Sequence, residues 1–157
     1  MQYIDCRKHW IRWYKLYIFH RKRRCIILFV GKTTLFSKIC RWKNILFDFP
    51  PKFVLLCGSQ RQTAYDDLHN EGVVDRIIYD YPSYDELLEI LKPHKKTGSI
   101  LILDDGLNAV AEDVSKIFFQ LSHHTNTTVI FVSQNLFYGT REYRTISLNT
   151  HYLFFMR

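Results

Sequence analysis

The sequence is poor in several features that would take it outside the ordinary globular proteins. No apolar run approaches the roughly 20 residues of a spanning helix, so a transmembrane segment is not expected. The N-terminal stretch is too basic and aromatic for a secretory signal, and it lacks a small-residue cleavage site. Only four cysteines occur, Cys6, Cys25, Cys40 and Cys57, with no C-x-x-C pair. They read as reduced thiols of an intracellular, non-secreted protein, with Cys25 and Cys57 in strands. His123-His124 has no cysteine or acidic cluster at ligand spacing, which argues against a structural zinc site. Internal repeats and low-complexity segments are absent.

What is present fits one domain with a real core. Of 157 residues, 47% are hydrophobic and 24% charged. The formal net charge is +7, and much of the excess precedes residue 25, in Arg7, Lys8, Arg12, Lys15 and Arg21-Lys22-Arg23-Arg24. Trp10, Trp13, Tyr14, Tyr17 and Phe19 interleave with these charges. Such a stretch can hold phosphates and stack bases, lie on an anionic membrane, or serve as a nuclear import signal. It can equally be a solvated tail. Residues 1–24 are therefore set apart from a core at 25–157.

Within the core, short apolar runs alternate with helical patterns. Residues 25–30, Phe53 to Cys57, Ser99 to Leu103 and Thr128 to Val132 read as buried strands. Val74 to Tyr79 carries Asp75 and Arg76, which places it nearer an edge, and His151 to Phe155 reads as a last strand. Helices are expected from Gly31 to about Trp42, with Leu35, Phe36, Ile39 and Cys40 inward. Others are expected from Gln62 to Asn70, with Tyr65 and Leu68 inward, and after Pro82-Ser83, with Leu87, Leu88 and Leu91 inward. Ser83 and Glu86 form a capping box. A further helix lies within Leu107 to His123, with Val114, Ile117, Phe118 and Leu121 inward. Lys92 to Gly98 reads as a basic, exposed turn, residues 136–142 as a loop, and Arg144 to Asn149 as a short helical turn. This alternation predicts a three-layer α/β fold with a mainly parallel sheet.

Three strand ends carry the chemistry. Ser99 to Leu103 ends in Asp104-Asp105, and ligands of parallel sheets collect at carboxyl strand ends. There one acid can order a Mg²⁺ shell and the next can orient or deprotonate a water. Gly31-Lys32-Thr33-Thr34 follows the strand at 25–30 and fits the second half of a phosphate-binding loop. In that loop backbone N–H groups wrap the phosphates, Lys reaches the β/γ oxygens and Thr holds Mg²⁺. Its first glycine would fall at Ile26, inside the strand. The third end is Ser133-Gln134-Asn135, where the Gln134 amide can both donate and accept.

The strings Asp104-Asp105, Ser122-His123-His124, Val129 to Phe137 and Tyr143 to Asn149, in that order, resemble the viral DNA-packaging ATPases of the FtsK–HerA superfamily. These are the poxvirus-type enzymes, also carried by large DNA viruses and Maverick/Polinton transposons. The resemblance runs from about Cys25 onward. It implies a RecA/ASCE-like P-loop NTPase with an added catalytic acid. Such an enzyme works as a homo-oligomeric ring that uses ATP and Mg²⁺ to pump double-stranded DNA into a capsid. Gly31, Lys32, Thr33 and Thr34 would bind nucleotide, Thr33 and Asp104 the metal. Asp105 and Gln134 would be catalytic, and Arg144 or Arg141 would reach a neighbouring subunit's γ-phosphate. Capsid proteins would be partners, and the setting would be cytoplasm, nucleus or virus factory. Two departures from the family lead to the expectation of a truncated or degraded copy or a faulty gene model: the Gly-Pro-Thr-Gly-Ser-like loop before Gly31 is missing, and the chain stops at Arg157 where the family would run on into more sheet. The expectation is therefore a packaging translocase with an impaired phosphate loop. The runner-up is a non-enzymatic remnant that binds DNA or another partner.

Overall fold

The computed structural model describes residues 2–5, 25–29, 32–105, 113, 116–133 and 150–155. Seven parallel strands form one sheet: β1 (Gln2–Asp5), β2 (Cys25–Phe29), β3 (Phe53–Gly58), β4 (Arg76–Tyr79), β5 (Ser99–Asp104), β6 (Thr127–Ser133) and β7 (Tyr152–Phe155). Their spatial order is β1-β7-β2-β6-β5-β3-β4. The expected α/β fold with a parallel sheet is the one observed. The helices are α1 (Lys32–Arg41), α2 (Lys43–Leu46), α3 (Thr63–Asn70), α4 (Tyr84–Leu91) and α5 (Ser122–Thr125).

Side chains of the central strands alternate between two cores, as strand geometry requires. Val54, Leu56, Ile100, Ile102, Ile130 and Val132 face one side, with Leu35, Phe36, Ile39 and Cys40 of α1 and Tyr65 and Leu68 of α3. Leu55, Cys57, Leu101, Leu103, Val129 and Phe131 face the other, with Leu87 and Leu91 of α4 and Ile117, Phe118 and Leu121. Helices therefore cover both faces, which makes three layers and explains the continuous apolar runs of β3, β5 and β6. Phe118 and Phe131 meet edge to face, their centroids 6.0 Å apart.

Local signals act as read. Ser83 caps α4 in a full capping box with Glu86. The β4 strand occupies the sheet edge. Leu88 is half-buried and packs against the core that holds the fully buried Leu87 and Leu91. The expected helix before His123 is described only from residue 116, and Val114 lies outside the described residues. Ile117–Leu121 forms a π turn, and Ser122 and Thr125 hydroxyls donate to the Phe118 and Leu121 carbonyls at 2.6 Å each. Residues 136–142 and 144–149 also lie outside the described residues.

Two features depart from the sequence reading. Gln2–Asp5, inside the segment set apart from the core, joins the sheet through β7. The Lys92–Gly98 turn is not wholly exposed. Gly98 is buried at φ 76°, and the half-buried His94 ring stacks on Phe53 at 3.9 Å.

Candidate functional site at the carboxyl edge of the sheet

Because every strand is parallel, all carboxyl ends meet at one edge. The β6 strand lies between β2 and β5, in the register Cys25↔Val129 to Phe29↔Ser133 and Ser99↔Thr127 to Asp104↔Val132. The strand before Gly31-Lys32, the strand ending at Asp104 and the strand leading to Gln134 are thus neighbours. Lys32, Thr33 and Thr34 open α1 at this edge. Gly31, Gln134, Arg141 and Arg144 lie outside the described residues.

The link between β2 and α1 is short. Strand pairing continues to Phe29 on both sides, to β6 and to β7, and α1 begins at Lys32. Only residues 30 and 31 join them. The reading of residues 25–30 as strand rather than phosphate loop holds for Cys25–Phe29, and residue 30 lies outside the described residues.

Asp104 is the last residue of β5 and only 4% exposed. It shares the face of Ile100 and Ile102, toward α1 and α3. The Tyr65 hydroxyl of α3 donates to Asp104 Oδ2, and the Tyr81 hydroxyl donates to the Asp104 carbonyl. Gly58, paired with Asp104 across β3 and β5, makes the first contact possible. A Cβ there would stand 2.9 Å from Tyr65 Cε2. Burial pushes the Tyr65 hydroxyl well above the usual phenol range, and the bond to Asp104 adds to the shift. Burial likewise pushes Tyr81 up to about 12.

Asp105 is exposed and sits at φ 60°, with its N–H donating to the Val132 carbonyl at 3.0 Å. Asp80, which follows β4, sits at φ 100°. Left-handed backbone costs a non-glycine residue roughly 1–2 kcal/mol, least for Asp and Asn. Two acids at the same edge adopt it, and such strain gathers at functional sites.

The oxygen donors fit Mg²⁺ in kind, since it takes carboxylate and hydroxyl oxygens together with phosphates and water. Thr33 and Asp104 belong to neighbouring parts of one edge. The Tyr65 hydroxyl already takes Oδ2, one of the two Asp104 carboxylate oxygens. Among the described residues no group of three or more His, Cys, Asp or Glu side chains is placed to hold a metal. Among them, too, no helix is long and apolar enough to cross a membrane.

Sequence reading placed Lys32, Thr33, Asp104 and Asp105 at this edge and missed Gly58, Tyr65, Tyr81 and Asp80. Tyr65 was legible only as an inward helix residue; its bond to Asp104 spans 39 residues. Gly58 closing an apolar strand was the one available signal. An open groove of about 400 Å³ adjoins this edge on the α4 face, against the outer strand β4, lined in part by Arg76, Ile78, Asp80, Tyr81, Glu86 and Ile90. Ile78 and Tyr81 pack on the α4 face, opposite the Asp104 carboxylate. Compared with known proteins, the sequence matches no family model and no curated protein.

Proposed function

We propose that the chain carries the core of an ATP-driven double-stranded DNA translocase of the packaging type, with its nucleotide site impaired. The observation that supports this reading is the strand order β2-β6-β5, which brings three chemistry-bearing strand ends side by side. In this reading Lys32 contacts the β/γ-phosphates, and Thr33 and Asp104 hold Mg²⁺, which would neutralise charge on the phosphate oxygens. Asp105 orients or deprotonates the attacking water, and Gln134 contacts both water and γ-phosphate. Arg144 or Arg141 completes the site of a neighbouring subunit in a ring. DNA and capsid proteins are the corresponding partners.

A second reading, a non-enzymatic remnant that binds DNA, is favoured by the two-residue link between Phe29 and Lys32. A phosphate loop holds the triphosphate with a nest of backbone N–H groups, and this link is too short to form one. Each missing charge-assisted bond costs about 1.5–3 kcal/mol. The absence of two or three weakens binding by several powers of ten.

Calorimetry with MgATP and a phosphate-release assay separate the readings. The chain as it stands is expected to bind MgATP poorly and to turn over little or none. Insertion of Gly-Pro-Thr-Gly-Ser between Val30 and Gly31 should restore binding, and Asp105→Asn in the repaired chain should remove turnover while leaving binding intact. A repaired chain that still ignores MgATP would favour the remnant. Strong turnover by the unrepaired chain, abolished by Lys32→Ala, would refute the loop argument.

A further inference from the structure

The amino edge of the sheet has a character of its own. Three segments enter adjacent strands there: Lys52 before β3, Lys92–Gly98 before β5, and Ser122–Asn126 before β6. They are tied together. Lys52 N–H donates to the Gly98 carbonyl at 3.2 Å, Asn126 Nδ2 donates to the Lys95 carbonyl at 3.2 Å, and His94 stacks on Phe53. Neighbouring strands are about 5 Å apart, so the three entries form one continuous rim.

Lys52, Lys92, Lys95 and Lys96 are exposed on this rim, as are His123 and His124. Among the described residues none of the four lysines makes an ion pair. Acids toward this edge include Asp48, Glu71, Asp75 and, one turn before Lys92 on α4, Glu89. The Glu71 carboxylate is held by Arg41 at 2.7–2.9 Å, and the Asp75 carboxylate accepts from the Val54 N–H at 2.7 Å. The C-terminus of α4 points toward this edge, and its dipole accounts for a cation at Lys92. Lys52, Lys95 and Lys96 stand beyond that last turn.

We propose that this rim is a contact surface for the phosphate backbone of double-stranded nucleic acid. The inference rests on the DNA partner of the reading above, and it moves the contact from the sequence-predicted segment 1–24 to Lys52, Lys95 and Lys96. A row of such cations on rigid strand entries suits a regular array of phosphates, whose neutralisation releases counterions. An anionic membrane fits less well. The exposed apolar side chains Trp42, Ile45 and Phe49 also lie toward this edge, where α1 ends, but α2 has only four residues and is too short to lie in a bilayer interface.

The test is fluorescence anisotropy of the full chain on a mixed-sequence DNA duplex across a salt series. The triple variant Lys52→Gln/Lys95→Gln/Lys96→Gln should flatten the log–log salt slope by about one for every phosphate it no longer neutralises. The triple Lys→Arg variant should keep the parent slope. Matching urea midpoints for the three proteins would show that the fold is unchanged. An unchanged slope in the Gln triple, with flattening in the full chain carrying Arg21→Gln/Lys22→Gln/Arg23→Gln/Arg24→Gln, overturns the rim while leaving the DNA reading in place. Failure of the parent to bind duplex at low salt overturns both. Binding to phosphatidylserine vesicles but not to duplex, abolished by Ile45→Asp/Phe49→Asp, assigns the charge to a membrane and overturns the proposal.

Discussion

Strand β5 begins and ends on a buried polar residue, and its two ends are handled in opposite ways. At the amino end, Ser99 is 1% exposed and belongs to a chain of hydroxyls. Thr125 Oγ1 donates its proton to the Leu121 carbonyl. It must then accept from Thr127, which must in turn accept from Ser99, because each hydroxyl has one proton. The chain is neutral, directional and closed. At the carboxyl end, Asp104 brings an acidic group into a site of similar burial, and two tyrosines bond to its carboxylate and its carbonyl. A closed hydroxyl chain serves packing alone. A buried acid at a strand end, beside left-handed Asp80 and Asp105, is costly for packing and useful for chemistry.

The contrast can be tested by breaking each end. The largest effect is expected at the carboxyl end. Tyr65→Phe removes a hydrogen bond to a carboxylate and should lower unfolding free energy by about 1.5–3 kcal/mol, measured by urea denaturation. Gly58→Ala should cost about 1–3 kcal/mol through its clash with the Tyr65 ring. In a Tyr65→Leu background much of the Gly58→Ala cost should disappear, since the two residues touch each other. Additive costs would mean that the ring does not hold Gly58 bare. At the amino end, Thr127→Val should cost about 1–2 kcal/mol by leaving Ser99 without its acceptor. An amino-end effect equal to that of Tyr65→Phe would erase the distinction.

A third measurement compares thiols from both ends. Cys57 lies near the carboxyl end of β3, and Cys40 lies in the last turn of α1 toward the opposite edge. Burial pushes each up from 9.0 to about 12. The folded chain keeps both protons where the unfolded chain releases them. Their stabilising contribution is complete below pH 9 and disappears as pH rises from 9 toward 12. Urea midpoints should fall over that window, and both thiols should resist iodoacetamide at about pH 8 until the protein is unfolded. The smallest effect is expected on the surface. Glu71→Gln breaks the exposed pair with Arg41 and should cost less than about 1 kcal/mol.

Much of this molecule was legible because its signals are local. The capping box at Ser83, the apolar runs of β3, β5 and β6, and the inward faces of α1 and α3 each sit within one short window. The carboxyl-edge placement of Lys32, Asp104 and Asp105 followed from parallel pairing. What escaped depends on distant partners. Tyr65 meets Asp104 only after α3 folds back on the sheet, and Ser99 finds Thr127 only through β5–β6 pairing. The strand Gln2–Asp5 was hidden because so short a segment carries little periodicity, and its partner lies at the far end of the chain.

That last pairing has a consequence for synthesis. The β7 strand is bonded to β1 on one side and to β2 on the other, so β1 waits for a strand that follows all the other described ones. Until residues 152–155 leave the ribosome, β1 has no partner among the described residues and β2 lacks its neighbour on the β7 side. The half of the sheet from β6 to β4 has all its strands earlier and can close first. Long-range parallel pairing of this kind is slow, and unpaired strand edges invite aggregation during the delay. A released chain ending just before residue 152 should therefore keep β3–β6 protected from proteolysis and leave Cys25–Phe29 open to pairing with other chains.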